Sequence, residues 1–357
     1  MIKFFEPKIS TTDTLKYLSK ALKSNFPNEN NLTKKLSSKL KKKLNIKYAS
    51  LINNGTASLY CALKILSLKK NDEVIIPNIT FQATANSVVN AGLKVVFVKV
   101  EKDNLLIDIN DLKKKITKKT KVIIPVHVSG KGSNIKKIID IAKKKKIFVI
   151  EDAAEALFSK YKKKFLGTFG DIGCFSFAPN KIITTGQGGL IITNNKILYR
   201  KIKSFQDQGR PYLNKKIHTS VGFNFKFTDL QAALGLSQLK DINLRIKQRK
   251  MNYLLYKKNL SNNSYIKLKN FNIKDGELPL WVEAKCKKAY LLINFLKKNK
   301  IQCRNLWKPI NETKPFKKKI INSFNIKEYI WLPSCHSLSK KKILFICKKI
   351  NEFYEKN

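Results

Sequence analysis

The chain is poor in the residues on which several functional classes depend. Of its 73 basic residues only five are arginine (Arg200, Arg210, Arg245, Arg249 and Arg304), and the rest are lysines spread over the whole length. Proteins that read bases and phosphates rely on arginine's planar fork and gather their charge on one face or arm. The formal charge of +49 therefore does not point to a specific nucleic-acid partner. Lysine travels here with asparagine and isoleucine, the residues of AT-rich codons, and reads as solvated surface. The three histidines and six scattered cysteines (Cys61, Cys174, Cys286, Cys303, Cys335, Cys347), with no CxxC pair, make no metal cluster, and the cysteines read as reduced thiols. No apolar run approaches the roughly 20 residues that span a bilayer. The start, Met1-Ile2-Lys3-Phe4-Phe5-Glu6-Pro7, lacks the apolar core of a signal peptide. A soluble cytoplasmic protein without a membrane partner is expected.

What is present is a large core. With 357 residues, 43% of them apolar, the chain is not disordered and is long enough for one large domain plus a smaller one. Seven β-rich runs, at 47–52, 73–76, 95–100, 122–126, 147–151, 172–177 and 189–193, alternate with helical stretches such as 57–68, 83–91 and 135–144. That alternation predicts an α/β fold, a mostly parallel seven-stranded sheet flanked by helices. Ligand chemistry in such sheets gathers at the carboxyl ends of the strands. From Thr228 the pattern turns helical (229–239, then 242–260). The end, with Leu332-Pro333-Ser334 and a helix over 340–354, reads as a smaller C-terminal α/β domain. The expected division is 1–240 and 241–357.

Two residues stand at those carboxyl ends. Asp152 closes FVIED and Lys181 follows GCFSFAPN, before Thr184-Thr185-Gly186-Gln187-Gly188-Gly189. A lone amine between a buried strand and a glycine-rich turn has the layout of a lysine that condenses with a carbonyl. Partial enclosure and a cationic neighbourhood would suppress its protonation, and the three glycines would let backbone pass close to a ligand. Asp152 either caps the next helix or faces a protonated ring nitrogen. Asn53-Asn54-Gly55-Thr56-Ala57-Ser58 opens a helix, and is either an ordinary cap or an anion site suited to a phosphate. Phe81 is either core or a ring that stacks on a cofactor. Ser176 alternates in phase with Phe175 and Phe177, so it points away from whichever side they face.

The segments NNGTASLYCAL, VIIPNITFQATANSV, PVHVSG, IEDAAEA, GDIGCFSFAPNKIITTGQGG, VGFNFKFTDLQAALGLSQL and WLPS are collinear. Together they resemble the fold-type I (aspartate aminotransferase-like) pyridoxal 5'-phosphate enzymes, in particular the sugar-nucleotide aminotransferases of the perosamine synthase kind. The resemblance covers nearly the whole chain. It implies pyridoxal phosphate as cofactor, a nucleotide-linked keto-deoxy sugar as substrate and glutamate as amino donor. Lys181 resembles the lysine that carries the cofactor and moves protons, Asp152 the partner of the pyridine nitrogen, and Phe81 the stacking aromatic. Thr56, Ala57 and Ser176 match phosphate contacts, with Gly55 beside them. Glu155 stands next to the cofactor's phenolic oxygen, where many relatives have Gln or His. Asn224 matches an asparagine that reaches the phosphate of the neighbouring subunit, which implies a homodimer with shared sites. Two further departures, Lys226 where Arg is common and Ser129-Gly130-Lys131-Gly132 in place of an aromatic-Gly, fall on substrate contacts. Relatives that dehydrate sugars replace the lysine by histidine; this chain keeps Lys181. A cyclitol aminotransferase of the same family, and a basic regulatory protein on an inactive scaffold, are the rival expectations.

Overall fold

The computed structural model describes residues 1–212, 217–318, 320, 322 and 324–356. Its centre is a seven-stranded sheet built from β1 (Tyr48–Ile52), β2 (Glu73–Pro77), β3 (Lys94–Val98), β4 (Thr120–Ile123), β5 (Phe148–Asp152), β8 (Ile172–Ser176) and β9 (Gly189–Thr193). A two-residue hairpin, β6 (Lys160–Tyr161) and β7 (Lys164–Phe165), lies outside it. The spatial order is β1-β9-β8-β5-β4-β2-β3, and β9 alone runs against the rest. The middle strands are buried on both faces, which is why EVIIP and IGCFS read as continuous apolar runs.

Helices cover both faces. On one side α3 (Gly55–Lys64), α4 (Gln82–Asn90) and α7 (Lys196–Phe205) pack on Ile52, Ile76, Ile150 and Cys174. On the other, α5 (Ile109–Lys115) and α6 (Ile135–Lys145) pack on Ile75, Ile123 and Val149. There α2 (Asn31–Leu44) and α8 (Asp229–Leu239) share a cluster with Phe175, Phe177 and Leu190. Leu32, Leu36, Leu40 and Leu44 recur every fourth residue of α2 and are all buried, each contributing about 1.5–3 kcal/mol of transfer free energy. Asp229 sets the angle of α2: its carboxylate accepts from the N–H groups of Asn30, Leu32 and Thr33 at 2.8–3.1 Å, the free donors of a helix start. The first helix, α1 (Thr11–Lys23), lies against α8.

A second sheet, wholly antiparallel, has the order β10 (Ile266–Leu268), β11 (Val282–Cys286), β13 (Tyr329–Leu332), β12 (Arg304–Asn305). It packs with α9 (Ile242–Asn259), α10 (Ala289–Lys298) and α11 (Lys340–Glu355) around Tyr253, Leu292, Ile330 and Ile346. The first residues of the chain join this region: Ile2 bridges Ile301 and Phe4 stacks on Trp281 with ring centroids 4.8 Å apart. No described helix is long and apolar enough to cross a membrane.

Candidate active site

The carboxyl ends of β1, β2, β5 and β8 lie at the same end of the sheet. At the β1–α3 corner the Asn54 side chain caps the helix, accepting from Ala57 N–H at 2.8 Å. A Cβ on Gly55 would lie 2.9 Å from Ser176 Cβ, so only glycine lets the helix start abut the end of β8. Gly55, Thr56, Ala57 and Ser176 therefore converge, with Thr56 exposed and Ser176 buried. Ser176 sits on the face opposite Phe175 and Phe177, as its phase requires. The first N–H groups of α3 and the positive end of its dipole give this corner the chemistry that suits an anion.

Asp152 ends β5 and is buried. One carboxylate oxygen accepts from Thr84 Oγ1 at 2.8 Å and the other from Ala154 N–H at 3.2 Å. Burial pushes this carboxyl above its ordinary range; the Thr84 and Ala154 hydrogen bonds and the Lys181 charge pull it back, while Glu155 adds to the rise. A buried carboxylate of this kind is suited to a cationic ring. Thr84, fixed in turn by Thr80 Oγ1 at 2.9 Å, is a residue that sequence reasoning missed, although Thr80 and Thr84 stand one helical turn apart in ITFQAT. Phe81 precedes α4 and is 58% exposed, which removes the core alternative. Its ring lies 5.9 Å from that of Trp307, centroid to centroid.

Lys181 lies in the β8–β9 loop, whose ends are tied by Phe177 N–H to Gly188 O at 2.8 Å and Thr185 N–H to Phe177 O at 3.0 Å. Its side chain is 12% exposed, and its Nζ is 3.5 Å from Glu155 Oε1. The nearest charged group to the amine is thus a carboxylate, and the cation of the expected neighbourhood, Arg249, lines the same small cavity. The glycine expectation is corrected. Gly186 alone of the three has a left-handed backbone, φ +76°, with open space around it. Gly188 and Gly189 serve packing within the protein: a Cβ on Gly188 would meet Thr185 Oγ1, and one on Gly189 would lie 2.5 Å from Ser58 Oγ and 2.6 Å from Asn54 O. Gly189→Ala is accordingly expected to drive apart β9 and the first turn of α3, costing about 1–3 kcal/mol, read as a lower denaturation midpoint of the cofactor-free protein. An unchanged midpoint would show that this contact yields freely.

Asn224 is exposed in the single chain. Its neighbour Phe225 accepts from Asn53 N–H at 3.2 Å, so the segment passes beside the start of α3. Lys226 pairs with Asp207 at 2.9 Å. His127 of PVHVSG is bound to Glu151 at 2.9 Å, deep in the sheet. Sequence reasoning also missed Trp281, whose Nε1 donates to Glu155 Oε1 at 2.8 Å. An amine beyond β8, a buried carboxylate closing β5 and a helix start after β1 with a hydroxyl beside it form a donor set that fits a phosphorylated cationic ring.

The comparisons with known proteins agree with this fold. Residues 8–351 match the model of the DegT/DnrJ/EryC1/StrS aminotransferase family. The structure of Helicobacter pylori PseC, an aminotransferase involved in the biosynthesis of pseudoaminic acid, superposes with a TM-score of 0.93 at 26% identity, covering 100% of both chains. GDP-perosamine synthase of Escherichia coli O157:H7 is 33% identical over 99% of this chain and 98% of its own. The UDP-4-amino-4,6-dideoxy-N-acetyl-beta-L-altrosamine transaminase of Campylobacter jejuni is 30% identical over 100% and 98%. The chain belongs to the DegT/DnrJ/EryC1/StrS aminotransferase family, and its fold is that of the fold-type I sugar aminotransferases.

Proposed function

We propose that this aminotransferase uses pyridoxal phosphate to convert a nucleotide-linked 4-keto-6-deoxy sugar to the 4-amino sugar, with glutamate as donor, for a surface glycan. The observation that carries the reading is the convergence of Lys181, the buried Asp152 and the α3 start in a chain related over its full length to GDP-perosamine synthase. A putative pyridoxal phosphate-dependent aminotransferase of Bacillus subtilis, 29% identical over 83% of the chain, supports the cofactor. Pyridoxal phosphate, when bound, supplies a conjugated ring that accepts the electron pair left when a substrate C–H bond loses its proton. Gly55, Thr56, Ala57 and Ser176 would hold its phosphate, Phe81 would stack on the ring and Glu155 would flank its phenolic edge. Asp152 would favour a proton on the ring nitrogen by its charge, and Lys181 Nζ would be the group that moves a proton between substrate and cofactor carbons. The same reading divides the chain into a cofactor-binding part, 1–240, and a smaller part, 241–357, and makes a homodimer the active unit, with Asn224 reaching the partner's phosphate.

The purified protein is expected to be yellow, and borohydride followed by peptide mapping is expected to fix the label on Lys181. Supplied with glutamate and the keto sugar nucleotide, it should release 2-oxoglutarate in step with amino sugar. A protein that stays colourless with added pyridoxal phosphate, or a label on another lysine, sinks the assignment.

A further inference from the structure

The carboxylate beside Lys181 is supplied with donors from elsewhere. Glu155 Oε2 accepts from Ser129 N–H at 2.8 Å, and Oε1 accepts from Trp281 Nε1–H at 2.8 Å. Lys181 Nζ stays 3.5 Å away, whereas a closed ammonium–carboxylate pair comes to about 2.7–2.9 Å. Both donors are themselves held. Ser129 sits at φ 60°, ψ 15°, a left-handed conformation that costs a residue with a Cβ about 1–2 kcal/mol. Its hydroxyl donates to Glu283 Oε2 at 2.7 Å and accepts from Trp331 Nε1–H at 3.1 Å, and its carbonyl accepts from Leu280 N–H at 2.9 Å. Glu283 is balanced by Lys269 at 2.9 Å, each side chain 2% exposed, so the acceptor that pins Ser129 is a buried, compensated charge.

We propose that Ser129 and Trp281 are positioning residues that hold the Glu155 carboxylate in place by one N–H donor on each oxygen, keep it from closing on Lys181, and so leave the amine free to react. The Glu283–Lys269 pair on the second sheet anchors Ser129 in the turn this requires. A carboxylate oxygen that loses its N–H donor is left short of a partner, and the nearest remaining donor is the lysine ammonium. The charged groups facing that amine are Glu155 and Asp152, with Arg249 across the small cavity of about 10 Å³ that Lys181 and Glu155 also line. The inference rests on Lys181 being the reacting amine.

The test needs no cofactor. Acylation of Lys181 by acetic anhydride is followed in the cofactor-free protein at fixed pH by peptide mapping. Trp281→Phe is expected to slow it by about threefold to tenfold, and Glu155→Gln to speed it by about tenfold, because the carboxylate that can engage the amine in an ion pair is gone. In the Glu155→Gln background Trp281→Phe is expected to leave the rate unchanged, since no carboxylate remains to close. Ser129→Gly, which keeps the left-handed turn at no steric cost and loses only the hydroxyl pin, is the second variant, and slows labelling in the same direction where Trp281→Phe fails to fold. A purely structural role would lower thermal stability and expose Lys181, speeding its labelling in both backgrounds; unchanged or faster labelling overturns the proposal. A borohydride label on another lysine would instead sink the functional reading while leaving these rates as they are.

Discussion

Lys181→Ala is expected to lose about 10⁴-fold or more in turnover, because one amine both carries the carbonyl group and relays the proton. The loss gives a way to count the chains in a site. If Asn224 reaches across the dimer, Lys181→Ala and Asn224→Ala each keep the half that the other lacks. Mixing the two under subunit exchange makes about half the dimers mixed, each with one native site and one doubly damaged site. Activity is then expected to climb from near zero to about a quarter of wild type. Asn224→Ala must first be shown to be strongly impaired alone. Exchange confirmed by mass with no return of activity would mean that Asn224 serves its own chain, beside whose Asn53 the segment already runs.

Asp152→Asn is expected to keep the cofactor and lose about 10²–10³-fold in rate, the scale of removing one preorganised electrostatic group. The fold should not suffer. The carboxyl's proton affinity is raised on folding by burial, so its ionisation opposes folding as pH rises from the unfolded pKa to the folded one. Asparagine removes that opposition at neutral pH. Its Oδ1 accepts from Ala154 N–H and its Nδ2 donates to Thr84, whose hydroxyl then donates to Thr80. The cofactor-free variant should therefore melt no lower than wild type, while Asp171→Asn, at a carboxylate that only caps Val149 N–H at 2.8 Å, should leave the rate nearly intact. Equal turnover in Asp152→Asn and wild type would remove Asp152 from the ring nitrogen.

The parts of this molecule legible in the sequence are those encoded locally. Seven apolar runs with helical spacers define the sheet, and a strand end marks itself where FVIED stops at an acid and CFSF gives way to a turn. The spacing of Leu32, Leu36, Leu40 and Leu44 is an equally plain helical signal. The glycines of GQGG misled because flexibility and close packing call for the same residue; for Gly189 the neighbours that decide, Asn54 and Ser58, lie far upstream in the chain. The second sheet was illegible at its edges, since the edge strands Arg304–Asn305 and Ile266–Leu268 are too short for any periodicity. Trp281 and Glu283 carry no local mark at all, and the unusual Ser129-Gly130-Lys131-Gly132 segment gave no sign of what Ser129 does: each matters because of a partner far along the chain.

That distance sets an order of events during synthesis. Lys181 and Asp152 leave the ribosome close together, but the tryptophan that holds Glu155 follows it by 126 residues, the glutamate that pins Ser129 by 154, and the second tryptophan on that serine by 202. A nascent chain ending near residue 240 can pair its large sheet, yet Glu155 there lacks its indole donor and Ser129 its anchor. Such a chain holds lysine and carboxylate with nothing to keep them apart. The finished arrangement closes only when β13 docks, among the last pairings that a chain dominated by long-range contacts makes.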